Sequence, residues 1–466
     1  MCRVVNLIDE YTNIINKYYD TPLPFITATG QWLISALYGR YFVCPALPEN
    51  TKKPNLFFVL SSPPLFTRRT TVTSIAKRLF IKADSEITGL PPNQIKDKFI
   101  EEFTIEGIAD HISATGFEDY IICSHEFGMV LTRGRRQYLE GMLSAMSKLY
   151  DGIGHKQYLS TRGGKPAGRE IPDRLYVTML AEMQKAEIYL NQLMLSQGFL
   201  RRVILIPQSH EDLDINRYKP FISLERKFCP FNLDKFSEKL IERGKIIKQF
   251  FEENGGEIII ELRPKVINVI NKLDRTMFLS FKQTGDEKQI YFGSYPAFIT
   301  KLAMIYAIAD LDNEIKEGKG VREDRKIYYI FVYENHLAKA ISFFRPIFTR
   351  VQEKLEKIIT EREVQPLKTY ETVYNKIERL CSGSGMTMGQ LLNYLNTTKN
   401  QAREYLETMF EMEKLFIVWH KTSRKPRIVV FTDEEKAKQY YKKVENQGLK
   451  AILFDKSNYK QFLTRW

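Results

Sequence analysis

The chain has only five cysteines, Cys2, Cys44, Cys123, Cys229 and Cys381, with no C-x-x-C pair and no histidines at zinc-binding intervals beside them. That scarcity excludes a structural zinc site or a disulfide framework as the organising device, and the expected setting is a reducing, cytoplasmic one. No window approaches the ~18 consecutive apolar residues of a membrane span, so a membrane is not among the expected partners. The opening MCRVVNLIDEYTNII holds an early acidic pair and no small-residue cleavage site, which argues against a secretory leader. Internal repeats and low-complexity tracts are absent as well.

What is present is a chain of 466 residues, 44% hydrophobic and 27% charged, long enough for two to four domains. Lysine and arginine (69) outnumber aspartate and glutamate (56), for a formal charge of +13. That excess favours a polyanionic partner, nucleic acid first, although Lys/Glu-rich chains of heat-adapted cells drift basic without one.

Four short apolar runs, NLFFVL (55–60), DYIICS (119–124), RLYVTML (174–180) and RRVILIP (201–207), have the β-branched and aromatic content of buried strands. Segments of helical period lie between them, YLEGMLSAMSKLY (138–150) and AEMQKAEIYLNQLML (181–195) among them. Buried strands alternating with helices predict an α/β unit with a parallel sheet over 51–228. A helical segment precedes it (1–50). Residues 229–365 read as an all-helical subdomain, interrupted by one short strand, EIIIELR. Residues 366–466 read as three helices closed by the hairpin KLFIVWHKTSRKPRIVVF, the plan of a winged helix.

The stretch SSPPLFTRRTTV (61–72) joins the first strand to a helix-like segment, where a P-loop would lie, yet it contains no glycine. Laid over residues 63–70, the pattern G-x-x-x-x-G-K-[ST] puts Pro63 and Arg68 at the glycines, Arg69 at the lysine and Thr70 at the hydroxyl. The glycines of that pattern let backbone N–H groups wrap phosphates, the lysine neutralises the β/γ charge and the hydroxyl meets Mg²⁺. At the end of the second strand, His125 and Glu126 stand where such ATPases keep an acidic pair, the second member of which polarises the attacking water. Thr178 on the third strand is a candidate to meet a γ-phosphate or water. Arg201 and Arg202 precede the fourth strand, and either is a candidate arginine finger or a surface ion pair.

From the opening strand onward, PNLFFVLSSPPLFTRRTTV…FTIEGIADHI…YIICSHEFGMVL…YLEGMLSAMSKLYDG…STRGGKPAGREIPDRLYVTML…SQGFLRRVILIP…FITKLAMIYAIAD resembles the ATPase domains of phage and plasmid replication proteins, over roughly residues 30–345. Those domains are related to RecA-like and AAA+ P-loop ATPases, the minichromosome-maintenance helicases included. Family members carry a loop of the kind GPSG…RKST, an xDEFG strand end, a YDG…TR connection and a GFL-x-R strand entry. The resemblance implies that Arg68, Arg69, Thr70 and Thr71 bind ATP, with Thr70 on Mg²⁺, that Glu126 is the catalytic glutamate and that Arg202 acts in trans. The departures, missing glycines, Arg69 for lysine and His125 for aspartate, all fall at the chemistry.

Basic loops supply the candidate nucleic-acid contacts: Arg135 and Arg136 after the second strand, and Arg162 and Lys165 in a Gly-rich excursion. In the C-terminal region Lys399 and Arg403 belong to the third helix, and Lys421, Arg424, Lys425 and Arg427 to the wing. The expectation is a DNA-associated, helicase-like ATPase of a mobile genetic element that forms a homo-oligomer, a hexameric ring being one candidate, with other replication proteins. Two alternatives stay open, a degenerate ATPase fold serving as a DNA-binding initiator, loader or structural partner, and a transcriptional regulator.

Overall fold

The computed structural model describes residues 6–455 except 49–50, 64–66, 102–104, 129–135, 161–165, 185–197, 210–217, 220–223, 285–292, 320–325, 382–384, 396–405, 407–414 and 422–425. It divides into two compact units, Met1–Leu355 and Glu356–Trp466. The stretches 1–50, 51–228 and 229–365, which the sequence suggested as three domains, thus fall almost wholly within one unit. Polar ties across them show why. Asn6 donates to the carbonyl of Tyr306 at 2.9 Å, and the Tyr38 hydroxyl to the carbonyl of Leu240 at 2.6 Å. The helices Leu7–Tyr18 and Leu23–Tyr38 pack inside the first unit, and the second is buried along nearly its whole length.

The strands of the first unit are β1 (Phe42–Val43), β2 (Phe57–Ser61), β3 (Phe99–Ile100), β4 (Asp119–Ser124), β5 (His155–Ser160), β6 (Pro166–Ile171), β7 (Tyr176–Met183), β8 (Ile204–Pro207), β9 (Ile258–Leu262), β10 (Lys316–Lys319) and β11 (Lys326–Val332). Five of them form an all-parallel sheet in the order β3-β4-β7-β2-β8. β2 and β7 are buried along their whole length, as a parallel sheet covered on both faces requires. After β2 the chain travels past β7 and β4 to the far edge, and after β7 it travels the other way, past β2 to β8. Right-handed crossovers in opposite directions put the two connections on opposite faces. The carboxyl ends of β2 and β7 therefore flank a topological switch point, the crevice where open α/β sheets bind ligands.

Three sequence expectations change here. The helix expected from residue 181 begins as strand, because β7 runs on to Met183. The Gly-rich excursion is an antiparallel hairpin, β5–β6. The segment 229–365 is not all-helical: β9 and β11 pair in parallel, β1 joins β9, and β10 lies antiparallel on β11. Only β9 was expected, since β1 arrives from 216 residues upstream of its partner (Phe42 with Ile258). The helices Cys229–Asn254, Tyr295–Ala309 and Glu334–Cys381 do form as their periodicity suggests. Cys229–Asn254 packs against Arg69–Thr88 at Gly244, where a Cβ would collide with the side chain of Ile87.

In the second unit β12 (Met386–Thr387), β13 (Phe416–Lys421), β14 (Pro426–Phe431) and β15 (Ala451–Phe454) make an antiparallel sheet in the order β12-β14-β13-β15. Ile377, Cys381, Met388, Leu391, Leu406, Leu415, Ile417, Val430 and Phe454 form its core. The helix Glu434–Asn446, capped by the Asp433 carboxylate, and β15 were not among the expected elements, and the third expected helix lies almost wholly outside the described residues.

At the amino edge of the parallel sheet four buried charges close into a ring. Arg40 binds Asp84 at 2.7 Å and Asp119 at 2.5 Å, and the Lys98 ammonium reaches Asp84 at 2.8 Å and Asp119 at 3.0 Å. Burial pushes the Asp119 carboxyl up, but Arg40 and Lys98 outweigh it and hold it below the usual carboxylate range. Removing one cation strands two carboxylates on the other. Lys98→Met is expected to lower unfolding free energy in urea by about 3–5 kcal/mol; a loss below about 1 kcal/mol would show the ring to be solvated.

Candidate functional site

The switch-point crevice holds the glycine-free loop. β2 ends at Ser61, whose backbone carbonyl accepts from the Gln208 N–H at 2.8 Å beyond β8. The Ser62 and Thr67 hydroxyls, 2.6 Å apart, draw the two ends of the loop together. Arg68 then takes a left-handed backbone, φ 44° and ψ 32°, immediately before the helix Arg69–Thr88. Left-handed backbone favours glycine, and in a side chain as large as arginine it costs on the order of 1–3 kcal/mol. Arg68 is also the residue at the second glycine of the P-loop pattern. The Asp20 carboxylate, 3.0 Å from the Arg68 guanidinium, helps hold this conformation.

Glu182, next to last on β7, is the centre of the site. Its carboxylate is buried, and Thr70 and Thr73 on the first turns of the helix donate to it at 2.7 and 2.5 Å. The His125 imidazole, just beyond β4, donates through Nδ1 at 2.8 Å, and Arg69 Nε lies 3.3 Å away. The Arg69 guanidinium also donates to the carbonyls of Ser62 (2.5 Å) and Met183 (2.7 Å) and to the Ser62 hydroxyl (3.0 Å). It thereby stitches the carboxyl ends of β2 and β7 to the start of the helix. Burial pushes the Glu182 carboxyl up, but the hydrogen bonds from His125, Thr73 and Thr70 prevail, and it lies below its ordinary value. The hydrogen bond to Glu182 raises His125 above its ordinary 6.5, against a smaller burial effect.

Arg69, Thr70 and His125 thus converge, on a carboxylate that the sequence reading did not single out. AEMQ looked like a helix start; the signal for Glu182 lay in the unbroken apolar run YVTMLA before it, which leaves the first acidic residue at the strand end. Glu126 is exposed, its N–H on the Ser124 hydroxyl at 3.3 Å, and Thr71 is half-buried in the first helical turn. Thr178 lies inside the sheet on the same face of β7 as Glu182, four residues or ~13 Å back from the edge, and is fully enclosed. It does not reach the crevice.

Arg202 lies at the opposite edge, in the turn that enters β8. It clasps Asp151 through Nε (3.0 and 3.1 Å) and Nη2 (2.5 Å), and its Nη1 donates to the Gly198 carbonyl at 2.9 Å. As placed, it is a bidentate intramolecular pair rather than an unpaired finger; Arg201 beside it is exposed. Of the nucleic-acid candidates, Lys421 and Arg427 are exposed near the tip of the β13–β14 hairpin, and Arg136 starts the helix Arg136–Asp151. Arg135, Arg162, Lys165, Lys399, Arg403, Arg424 and Lys425 lie outside the described residues.

No known family model and no curated protein matches the chain.

The two shifts at the site have opposite pH signs. The raised His125 contributes stability that is complete below its ordinary 6.5 and is lost as pH rises through the folded value. The lowered Glu182 contributes above its ordinary 4.5 and fails as pH falls through its folded value. The pair is therefore strongest between about pH 4.5 and 6.5. NMR titration should find the His125 midpoint above 6.5, returning toward 6.5 in Glu182→Gln; an unchanged midpoint in that variant would remove Glu182 as the cause.

Proposed function

We propose that this chain is a DNA-acting, P-loop-ATPase-like protein of the replication apparatus of a mobile genetic element, binding a nucleoside triphosphate with Mg²⁺ at the carboxyl edge of its parallel sheet. The observation that carries the reading is the loop 62–68: it joins a central strand to the start of a 20-residue helix, with left-handed backbone at the position where the phosphate-loop pattern keeps glycine. Helix N-termini supply unpaired N–H groups and a positive dipole end to phosphates, and no side chain caps this one.

The donors suit the ligand. The Thr70 hydroxyl and Glu182 carboxylate are hard oxygen donors 2.7 Å apart, the kind Mg²⁺ prefers. Among the described residues no group of three His, Cys, Asp or Glu is placed to hold a metal alone, so the ion would share phosphate oxygens and water. When bound, it would neutralise phosphate charge. Arg69 would swing from the Ser62 and Met183 carbonyls to the phosphates, and exposed Glu126 would orient water. Glu182, rather than His125, takes the metal-side carboxylate role.

The winged-helix reading of the second unit rests on the β13–β14 hairpin with basic Lys421 and Arg427, and on the short strand β12 between two helices that pairs back onto β14. The sheet and the two units are equally compatible with the second reading, a fold that binds DNA without turnover. What favours that second reading is Arg69, whose guanidinium already has three acceptors and a carboxylate beside it.

Equilibrium binding of Mg·ATP and steady-state hydrolysis, with and without single-stranded DNA, separate the two. Wild type should bind, Glu126→Gln should bind yet hydrolyse about 10²–10⁴-fold more slowly, and Glu182→Gln should lose the Mg²⁺ dependence of binding. Absence of binding at millimolar nucleotide would sink the ATPase reading and leave the wing as the functional surface.

A further inference from the structure

A second surface of the first unit combines aromatic faces with lysines in a way the crevice does not explain. The chain enters the helix Cys229–Asn254 through the short turn Leu224–Phe228. Phe228 and Phe231 flank that entry and remain 55% and 59% exposed, unusual for side chains that elsewhere fill this core. Each has a lysine over its ring, Lys227 at 5.1 Å from the Phe228 centroid and Lys235 at 4.4 Å from that of Phe231. Spacings of three and four residues place Phe228, Phe231, Lys235 and Lys239 along one side of the helix, a stripe of about 16 Å at 1.5 Å per residue. Beside it Lys17, Lys235, Lys239, Asn13 and Asn232 line a concavity of about 370 Å³ between this helix and Leu7–Tyr18. Of the acidic groups there, Glu10 holds Lys239 at 2.6 Å and Asp234 holds Lys82 at 2.8 Å, while Glu225 and Glu238 are exposed.

We propose that this surface binds single-stranded DNA, its phenylalanines stacking on bases and its lysines following the phosphates. The proposal rests on the reading above only for the choice of DNA. Exposed aromatic faces interleaved with lysines suit unpaired bases, because every base has a π-face and duplex stacking hides it. A protein partner would favour a dry apolar centre depleted of lysine, which this stripe lacks.

The surface also connects to the crevice. Asn232 donates to the Tyr18 hydroxyl at 2.6 Å and Arg226 to the Tyr18 carbonyl at 3.1 Å; two residues on, Asp20 holds Arg68, the left-handed residue of the loop. Neighbours of Phe228 and Phe231 thus touch the short segment that helps hold the loop's backbone.

The test is fluorescence anisotropy of the full chain with a labelled oligo-dT of about 20 nucleotides, longer than one binding site of this type. Phe228→Ala with Phe231→Ala should weaken binding about tenfold or more. Lys227→Gln with Lys235→Gln should flatten the slope of log affinity against log salt by about 1.4. Lys421→Ala with Arg427→Ala should leave oligo-dT affinity within twofold. All six sites are exposed, and unchanged melting verifies the fold. Phenylalanine variants that bind like wild type overturn the proposal, as does a loss of anionic-vesicle flotation with oligo-dT binding intact. If duplex still binds through the wing residues, only this surface fails; if no DNA of either kind binds, the DNA reading fails with it.

Discussion

A carboxylate shut away from water must be met by donors or be protonated, and Glu182 is met from two directions. Two hydroxyls and a guanidinium arrive from the helix Arg69–Thr88, and an imidazole from the end of β4. No one of these elements is close to β7 in sequence, so the charge fixes the mutual placement of all of them. This carboxylate and the arginine beside it tie the end of β2, the end of β7 and the start of the helix together. An ionised acid with that many donors is also stiff, and whatever enters the crevice must first compete with Arg69 for it.

Electrostatics divides the two edges of the sheet. At the amino edge, the ring of Arg40, Asp84, Lys98 and Asp119 and the Arg202–Asp151 clasp pair every charge they contain. Lys301 there is buried against Asn55 Oδ1 (2.6 Å) and the face of Tyr150 (3.9 Å), and desolvation holds its ammonium well below the ordinary lysine range. These are cross-links between layers. At the carboxyl edge the cluster is half open, with Thr70 and Glu126 exposed and His125 47% exposed. Closed networks at one edge and an accessible one at the other are what a ligand-binding α/β sheet requires.

Much of this was legible in the sequence, and the pattern of what was not has physical causes. NLFFVL, DYIICS and RRVILIP announced strands because parallel strands buried on both faces are continuous apolar runs, and DYIICS was right to the residue. Spacing alone singled out Arg69 and Thr70, which lie beside Glu182. Glu182 was missed because charge in a run of good helix formers looks like the solvent side of a helix; only the tertiary partners reveal a buried acid. Thr178 was misplaced for the same reason, the strand running three residues further than its β-branched content suggested. Arg202 shows the limit of motif transfer, since no spacing predicts Asp151 as its partner. The mixed sheet β1-β9-β11-β10 joins segments up to some 290 residues apart, Phe42 to Val332, beyond the reach of periodicity, though IYYIFV at β11 was a readable strand.

The sheets also finish in a particular way. β3, at one margin of the parallel sheet, has two residues, and β8, at the other, has four; β10, the margin of the mixed sheet, reads Lys-Glu-Gly-Lys. Stubby or lysine-bearing margins give an incoming strand few backbone groups to zip onto and a positive field to cross. Association with another chain at these margins is thereby confined to side-chain surfaces, which can be released and remade without unravelling a ladder of backbone hydrogen bonds.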